Sequence, residues 1–338
     1  MQPQTTTSRI SWIDMAKGYG TILVIYAHLG VGPLWTWIYS FHLPLFFFLS
    51  GYVFNTKHNL KDFLFKKMKS IVIPYFCLGI PMYLFRETYT LLIAGNFSLA
   101  EACYHFKQLL LQQRFWTLWF IACLFCLNIA FYAIAKLFRN EWQIALISVI
   151  FACVGLCYYK LGGTPLYWNA DVCLTAMPFF AFGYLYKLHA KQVDDFIMSK
   201  SILFFAIFAL INIVSWRLSL DETGLGLEMF ESNYGNPIFT HIAAFAGIFC
   251  VIIASKWFTL EPIRYLGENS MIYYAWHQTI MIPIFTKVFS FVGIDILTSY
   301  GLIGSVIYKC ICLIGIVAAL TFCNWCIGKL GWKFMVGK

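Results

Sequence analysis

Apolar runs of roughly 17 to 25 residues follow one another along the chain, separated by short polar stretches. Runs of that length suit a helix that crosses the hydrocarbon core of a bilayer. They fall at 10–29, 37–55, 70–86, 115–138, 142–159, 172–188, 201–218, 237–255, 269–292 and 301–325. The pattern predicts an all-α polytopic membrane protein: a bundle of about ten transmembrane helices, in a single domain over residues 1–338. The stretch 87–114, with Leu91–Ala94 and Leu109–Leu111, reads as an added re-entrant or interfacial helix.

Composition supports the same class. Hydrophobic residues make up 61% of the chain and charged residues 12%, with a mean hydropathy of +0.73. A soluble domain carries about a quarter charged residues, so this chain has too few to cover a surface facing water. The net charge of +9 does not point to nucleic acid, because the basic residues alternate between apolar runs instead of gathering on one face. Their distribution sets orientation. One set of alternating loops holds Lys57, Lys61, Lys66, Lys67, Lys69, Lys329, Lys333 and Lys338, whereas the other set is sparse. The positive-inside rule then places both termini in the cytoplasm. The first run contains Asp14 and Lys17 and lacks a small-residue cleavage site, so it is expected to stay as a helix and not act as a cleaved signal. The acidic segment 219–236 reads either as a loop that shapes an entrance on the far side or as an ordinary solvated loop there, and its composition favours the second. Most of the 12 cysteines sit in apolar runs and read as small packing residues. The pairs Cys123/Cys126 and Cys323/Cys326 lie in predicted spans, so no metal site is expected from them.

Polar residues inside the spans carry the candidate chemistry. Asp14, Lys17, Thr21 and His28 share the first run. Eleven helical steps separate Lys17 from His28, which places them within roughly 20° of each other and about 16 Å apart along the axis. Asp14 and Lys17, three apart, are spaced to pair. The next run opens at Ser40-Phe41-His42-Leu43-Pro44 and continues through Ser50-Gly51-Tyr52. A short connection makes these two helices antiparallel neighbours and can bring His28 and His42 to one depth. Ser50 and Gly51 permit close helix approach. In the ninth run, Asn269, Tyr273 and His277 recur every four residues on one face. Asn269 or Ser270 is also placed to cap that helix. Ionisable groups within a span usually face a bundle interior or a water-filled cavity.

Together these stretches resemble the acyltransferase-3 family of integral membrane acyltransferases, nearest its fucose 4-O-acetylase-related branch. The residues that carry the likeness are Arg9-Ile10-Ser11-Trp12-Ile13-Asp14 with Lys17-Gly18 and His28, then Ser40 through Tyr52, Lys66-Lys67 with Pro74-Tyr75, Leu118-Trp119-Phe120, and Gly267 through His277. The resemblance implies a multi-pass protein of the bacterial inner membrane that moves an acyl group, acetyl above all, from acyl-CoA to a hydroxyl of a cell-envelope glycan or lipid-linked sugar. Acetyl-CoA is then a substrate and no bound cofactor is expected. The mechanism expected from these residues has His28 as general base or brief carrier of the acyl group, with His42 and His277 positioning the acceptor or stabilising the oxyanion. Donor binding falls to Lys17, Arg9, Lys66 and Lys67, with Asp14 holding Lys17. Ser40, Trp119, Asn269, Ser270 and Tyr273 are acceptor-side or structural candidates. The alternative from another class is a transporter or flippase of an envelope glycan precursor, which also places polar groups near the midplane.

Overall fold

The computed structural model describes residues 9–30 and 33–338 and is almost entirely helical. In chain order the helices are α1 (Ser11–His28), α2 (Pro33–Tyr39), α3 (His42–Tyr52), α4 (Leu60–Lys67), α5 (Ile73–Tyr89), α6 (Leu99–Leu111), α7 (Trp119–Leu137), α8 (Glu141–Lys160), α9 (Ala170–Leu188), α10 (Ala190–Ser199), α11 (Ser201–Ser219), α12 (Pro237–Trp257), α13 (Glu261–Glu268), α14 (Ser270–Trp276), α15 (Ile282–Phe291) and α16 (Gly301–Lys329). The one sheet among the described residues is a small antiparallel hairpin, β1 (Leu227–Glu228) and β2 (Asn233–Tyr234), pairing Leu227 with Tyr234 and Glu228 with Asn233.

Six helical stretches among the described residues are long and apolar enough to cross a membrane: Leu60–Ala94, Leu99–Leu137, Glu141–Lys160, Ser201–Ser219, Pro237–Trp257 and Ile294–Lys329. The chain is thus a multi-pass membrane protein, and these helices leave the expected count of about ten unestablished. Helix α3 spans only eleven residues. Part of the predicted interfacial stretch simply prolongs α5 to Ala94, and the rest forms α6, capped by Ser98 accepting from the Glu101 N–H.

Helices pack where glycine removes the side chain. A Cβ on Gly51 of α3 would lie 1.9 Å from the Phe180 carbonyl oxygen of α9, and one on Gly183 of α9 would lie 1.9 Å from the Phe48 oxygen of α3. The two glycines thus let the backbones touch twice, as the Ser50-Gly51 pair suggests. Phe48, Phe180, Phe182 and Tyr186 fill the seam on either side.

Besides the π-helical turn Thr90–Ala94 that follows α5, two more interrupt the α geometry, Met68–Val72 before α5 and His277–Met281 between α14 and α15. Each of these two is followed two residues later by a proline, Pro74 or Pro283. Proline cannot donate to the preceding turn and crowds the carbonyl four residues back. A widened turn just before it relieves that crowding, and such turns gather at functional sites.

Both described ends of the chain meet at one end of the bundle. Arg9 pairs with Glu268 at 2.8 Å, and the Lys338 ammonium donates to the Asn269 side chain. His28, Arg86 and the β1–β2 hairpin lie at the opposite, far end.

Candidate active site

The site at the far end begins with histidine geometry. In α1 the His28 Nδ1–H donates to the Val24 carbonyl at 2.8 Å, one helical turn back. The same contact recurs for His42 on Ile38 at 3.0 Å and for His277 on Tyr273 at 2.9 Å and Tyr274 at 2.8 Å. A carbonyl can only accept, so Nδ1 carries the proton and Nε2 is left as an acceptor. On His28 that lone pair receives the Tyr39 hydroxyl at 3.1 Å. On His277 the buried Nε2 has no partner.

The three histidines converge. The His28 and His277 rings meet edge to face, with centroids 4.9 Å apart. Tyr39 lies between His28 and His42, 5.8 Å from the first ring and 4.7 Å from the second. Tyr39 ends α2, which is held by the Trp37 indole N–H on the Asn212 carbonyl oxygen at 2.7 Å. Asn212 in turn donates to the Ala243 carbonyl at 2.8 Å.

His28, Tyr39 and His42 open on a cavity of about 670 Å³. Arg86, Trp116, Trp119, Tyr274, Gln278, Glu228, Phe230 and Glu231 line it as well. Its size is that of a small-molecule site. The expected solvated loop is one of its walls: residues 220–236 fold over the opening through the β1–β2 hairpin. Tyr234 fastens the hairpin to Thr175 at 2.6 Å, and Ser232 accepts from Arg114 at 2.8 Å. Hydrogen bonds from Asn233 and Thr223 hold Asp221 down at about 2, so its carboxylate fixes the turn. Burial, by contrast, pushes the Glu228 carboxyl up to about 7.

A buried polar knot joins this loop to the wall that carries Trp116 and Trp119. Arg114 donates to the Asp171 carboxylate at 2.5 Å and to Asn169 at 3.0 Å, and Asn169 donates to the Gln112 and Trp119 carbonyls at 3.1 and 3.0 Å. Gln112, Arg114, Trp116, Asn169 and Ser232 all have positive φ, a costly backbone state for residues with side chains. The knot holds this strain and turns Trp116 and Trp119 into the cavity. The Thr117 hydroxyl then ties the wall to α14 through the Ala275 carbonyl at 2.8 Å.

A family model described as an acyltransferase domain, of the acyltransferase-3 type, matches residues 10–324. The chain belongs to this acyltransferase family. No curated protein and no solved structure matches it.

In this acyltransferase the other expected site residues lie elsewhere. Lys17 is half-buried about three turns from His28 and does not line the cavity. Its expected pairing with Asp14 is absent: no ion pair joins them, and one Asp14 carboxylate oxygen is buried without a partner. Beside it, Gly267 of α13 lets the two backbones meet: a Cβ there would sit 1.7 Å from the Asp14 carbonyl oxygen. Arg9 is engaged with Glu268. Lys66 and Lys67 border a separate pocket of about 230 Å³ with His58, where the Lys66 ammonium donates to the His58 ring at 2.7 Å.

Of the acceptor-side candidates, only Trp119 faces the histidine cavity. Ser40 donates to the Trp37 carbonyl at 2.7 Å. Tyr273 is buried with its hydroxyl on Thr321 at 2.7 Å. Neither Asn269 nor Ser270 caps α14 with its side chain; Asn269 instead donates to the Tyr265 carbonyl at 2.8 Å. Tyr39, Arg86, Trp116, Glu228 and Gln278 border the cavity without having been expected there. A tyrosine or tryptophan beside a predicted span gives no signal of its own, but Arg86 at the end of an apolar run is a cation near lipid and was readable as a candidate.

Proposed function

We propose that this acyltransferase carries an acyl group, acetyl in the simplest case, from acyl-CoA to a hydroxyl of an envelope glycan bound in the far-end cavity. In this reading ten segments cross the bacterial inner membrane, both termini are cytoplasmic, and the cavity opens outward. The observation that carries the reading is the His28 ring: Nδ1–H is committed to a backbone carbonyl, and the basic Nε2 is turned to a cavity wall. The acceptor hydroxyl displaces the Tyr39 hydroxyl from Nε2 and attacks the thioester carbonyl carbon as its proton passes to the imidazole. The C–S bond then breaks, and the CoA thiolate takes that proton and leaves as the thiol. Imidazole suits both transfers because its unperturbed pKa lies near neutrality.

Family membership favours this enzyme over the transporter reading. Lys17, with no ion pair among the described residues, is the candidate for the donor's phosphates on the way from the cytoplasm, and Lys66 and Lys67 border a pocket at the same end. The acceptor meets aromatic rings of Trp116, Trp119 and Tyr274, flat surfaces that suit the faces of a sugar ring.

The test uses purified protein in lipid nanodiscs with radiolabelled acetyl-CoA and a panel of envelope glycans. Wild type transfers label and His28→Ala loses at least about 100-fold of that rate, the usual contribution of a general base. Near-normal transfer by a folded His28→Ala protein would remove the imidazole from the chemistry.

A further inference from the structure

We propose that Arg86 and the Trp116 ring form an oxyanion subsite in the far-end cavity, holding a carboxylate or phosphate group carried by the acceptor. The inference rests on the reading of this cavity as the acceptor site.

The argument starts from an unmatched charge. Arg86 lies near the end of α5 and lines the same cavity as His28. A guanidinium within an apolar helix is expensive unless it faces a partner or a polar cavity. No carboxylate among the described residues pairs with it, and its side chain makes no hydrogen bond among them. Its Nε–H is buried without a partner. The neighbouring Glu87 is not available, because it is committed to His105 at 2.8 Å.

What does touch Arg86 is an aromatic face. Its guanidinium lies 5.8 Å from the centroid of Trp116, which also meets the Phe115 ring at 4.4 Å and the His105 ring at 5.1 Å. Stacking on indole orients the planar group and leaves its N–H fork free for two oxygens of one anion. Trp116 is not there by default. Its φ of +38° is a strained state, held by the Arg114–Asp171 knot two residues away. Strain of that kind persists where surrounding structure over-determines it, commonly at ligand clamps.

Two carboxylates share the cavity, Glu228 and Glu231, yet neither reaches ion-pair distance of Arg86. Both add negative charge to the chamber that the ligand's anion enters. A neutral glycan would leave the guanidinium unmatched in the bound state. An acidic sugar, or a sugar still carrying a lipid-linked phosphate, would complete it.

The experiment measures binding in the His28→Ala protein, so that its result is independent of turnover. The probes are glucuronate, glucose and geranyl diphosphate, titrated into the protein in nanodiscs by calorimetry. Glucuronate binding at least about 10-fold tighter than glucose, lost in His28→Ala/Arg86→Gln and partly kept in His28→Ala/Arg86→Lys, supports a sugar carboxylate. Binding of geranyl diphosphate alone, with the same dependence on Arg86, supports the subsite and assigns it to a lipid-linked phosphate. A Glu231→Gln change added to His28→Ala is expected to tighten either probe. Equal affinity with and without Arg86, in variants whose melting temperatures match, overturns the proposal, as does failure of both anions to bind. If the anions bind but wild type transfers no acyl group, the subsite stands and the proposed reaction falls.

Discussion

The hydrogen bond between Tyr39 and His28 offers a direct test of how the imidazole is held. Tyr39→Phe removes one oxygen and keeps the ring that packs against His28 and His42. The lost contact is a 3.1 Å hydrogen bond from a phenol to a neutral nitrogen, worth roughly 0.5–1.5 kcal/mol net. In the proposed reaction the acceptor displaces that bond before attack, so its removal is expected to raise acyl transfer by about 2- to 13-fold. The assay is single-turnover transfer of labelled acetyl from acetyl-CoA, in wild type, Tyr39→Phe, His28→Ala and the double variant. The two residues touch, so their effects are expected not to add. In the His28→Ala background the phenol has no lone pair to occupy, and its removal leaves the residual rate unchanged. An equal change in both backgrounds would refute the reasoning, because Tyr39 would then act on something other than His28. A slower Tyr39→Phe enzyme would also refute it, showing that the phenol assists the imidazole during attack.

Two further outcomes follow from the packing and the loop. Gly183→Ala forces a methyl against the Phe48 carbonyl and is expected to cost about 1–3 kcal/mol, read as a lower melting temperature in detergent; an unchanged melt would mean that α3 and α9 do not touch there. Burial raises the Glu228 carboxyl to about 7, so the folded state binds this proton more tightly than the unfolded chain. Stability from this group is therefore greatest below the ordinary glutamate range and declines as pH rises toward 7. Glu228→Gln should flatten that part of the melting profile, and an unaltered profile would place Glu228 in water.

The histidines were legible in the sequence because each interrupts an apolar run, where a polar group needs a reason. Their convergence was legible only in part. The short link between α1 and α3 implied that His28 and His42 approach, but the edge contact of His28 with His277 joins segments nearly 250 residues apart in sequence, which no local pattern encodes. Spacing of three let Asp14 reach Lys17, but spacing does not fix a rotamer, and no ion pair joins the two. The acidic loop looked solvated because its charges dominate its composition. Its fold is decided instead by Asp221, Tyr234 and Ser232, which fasten it over the cavity. Arg86 stood at the edge of a run, and nothing in the sequence indicated that Glu87 would choose His105.

The widened turn at His277–Met281 has a consequence for how this chain can vary. It absorbs one surplus residue between the part of the helix that seats His277 and the part beyond Pro283. Deleting a single residue from that turn would restore regular α winding and leave the segments on either side near their present facing, but it would rebuild the widened turn itself. Gln278 and Thr279 would then be aimed away from the chamber they now border. Chain length at this point is therefore a specification of aim, and point substitutions should be tolerated here more readily than any change in residue number.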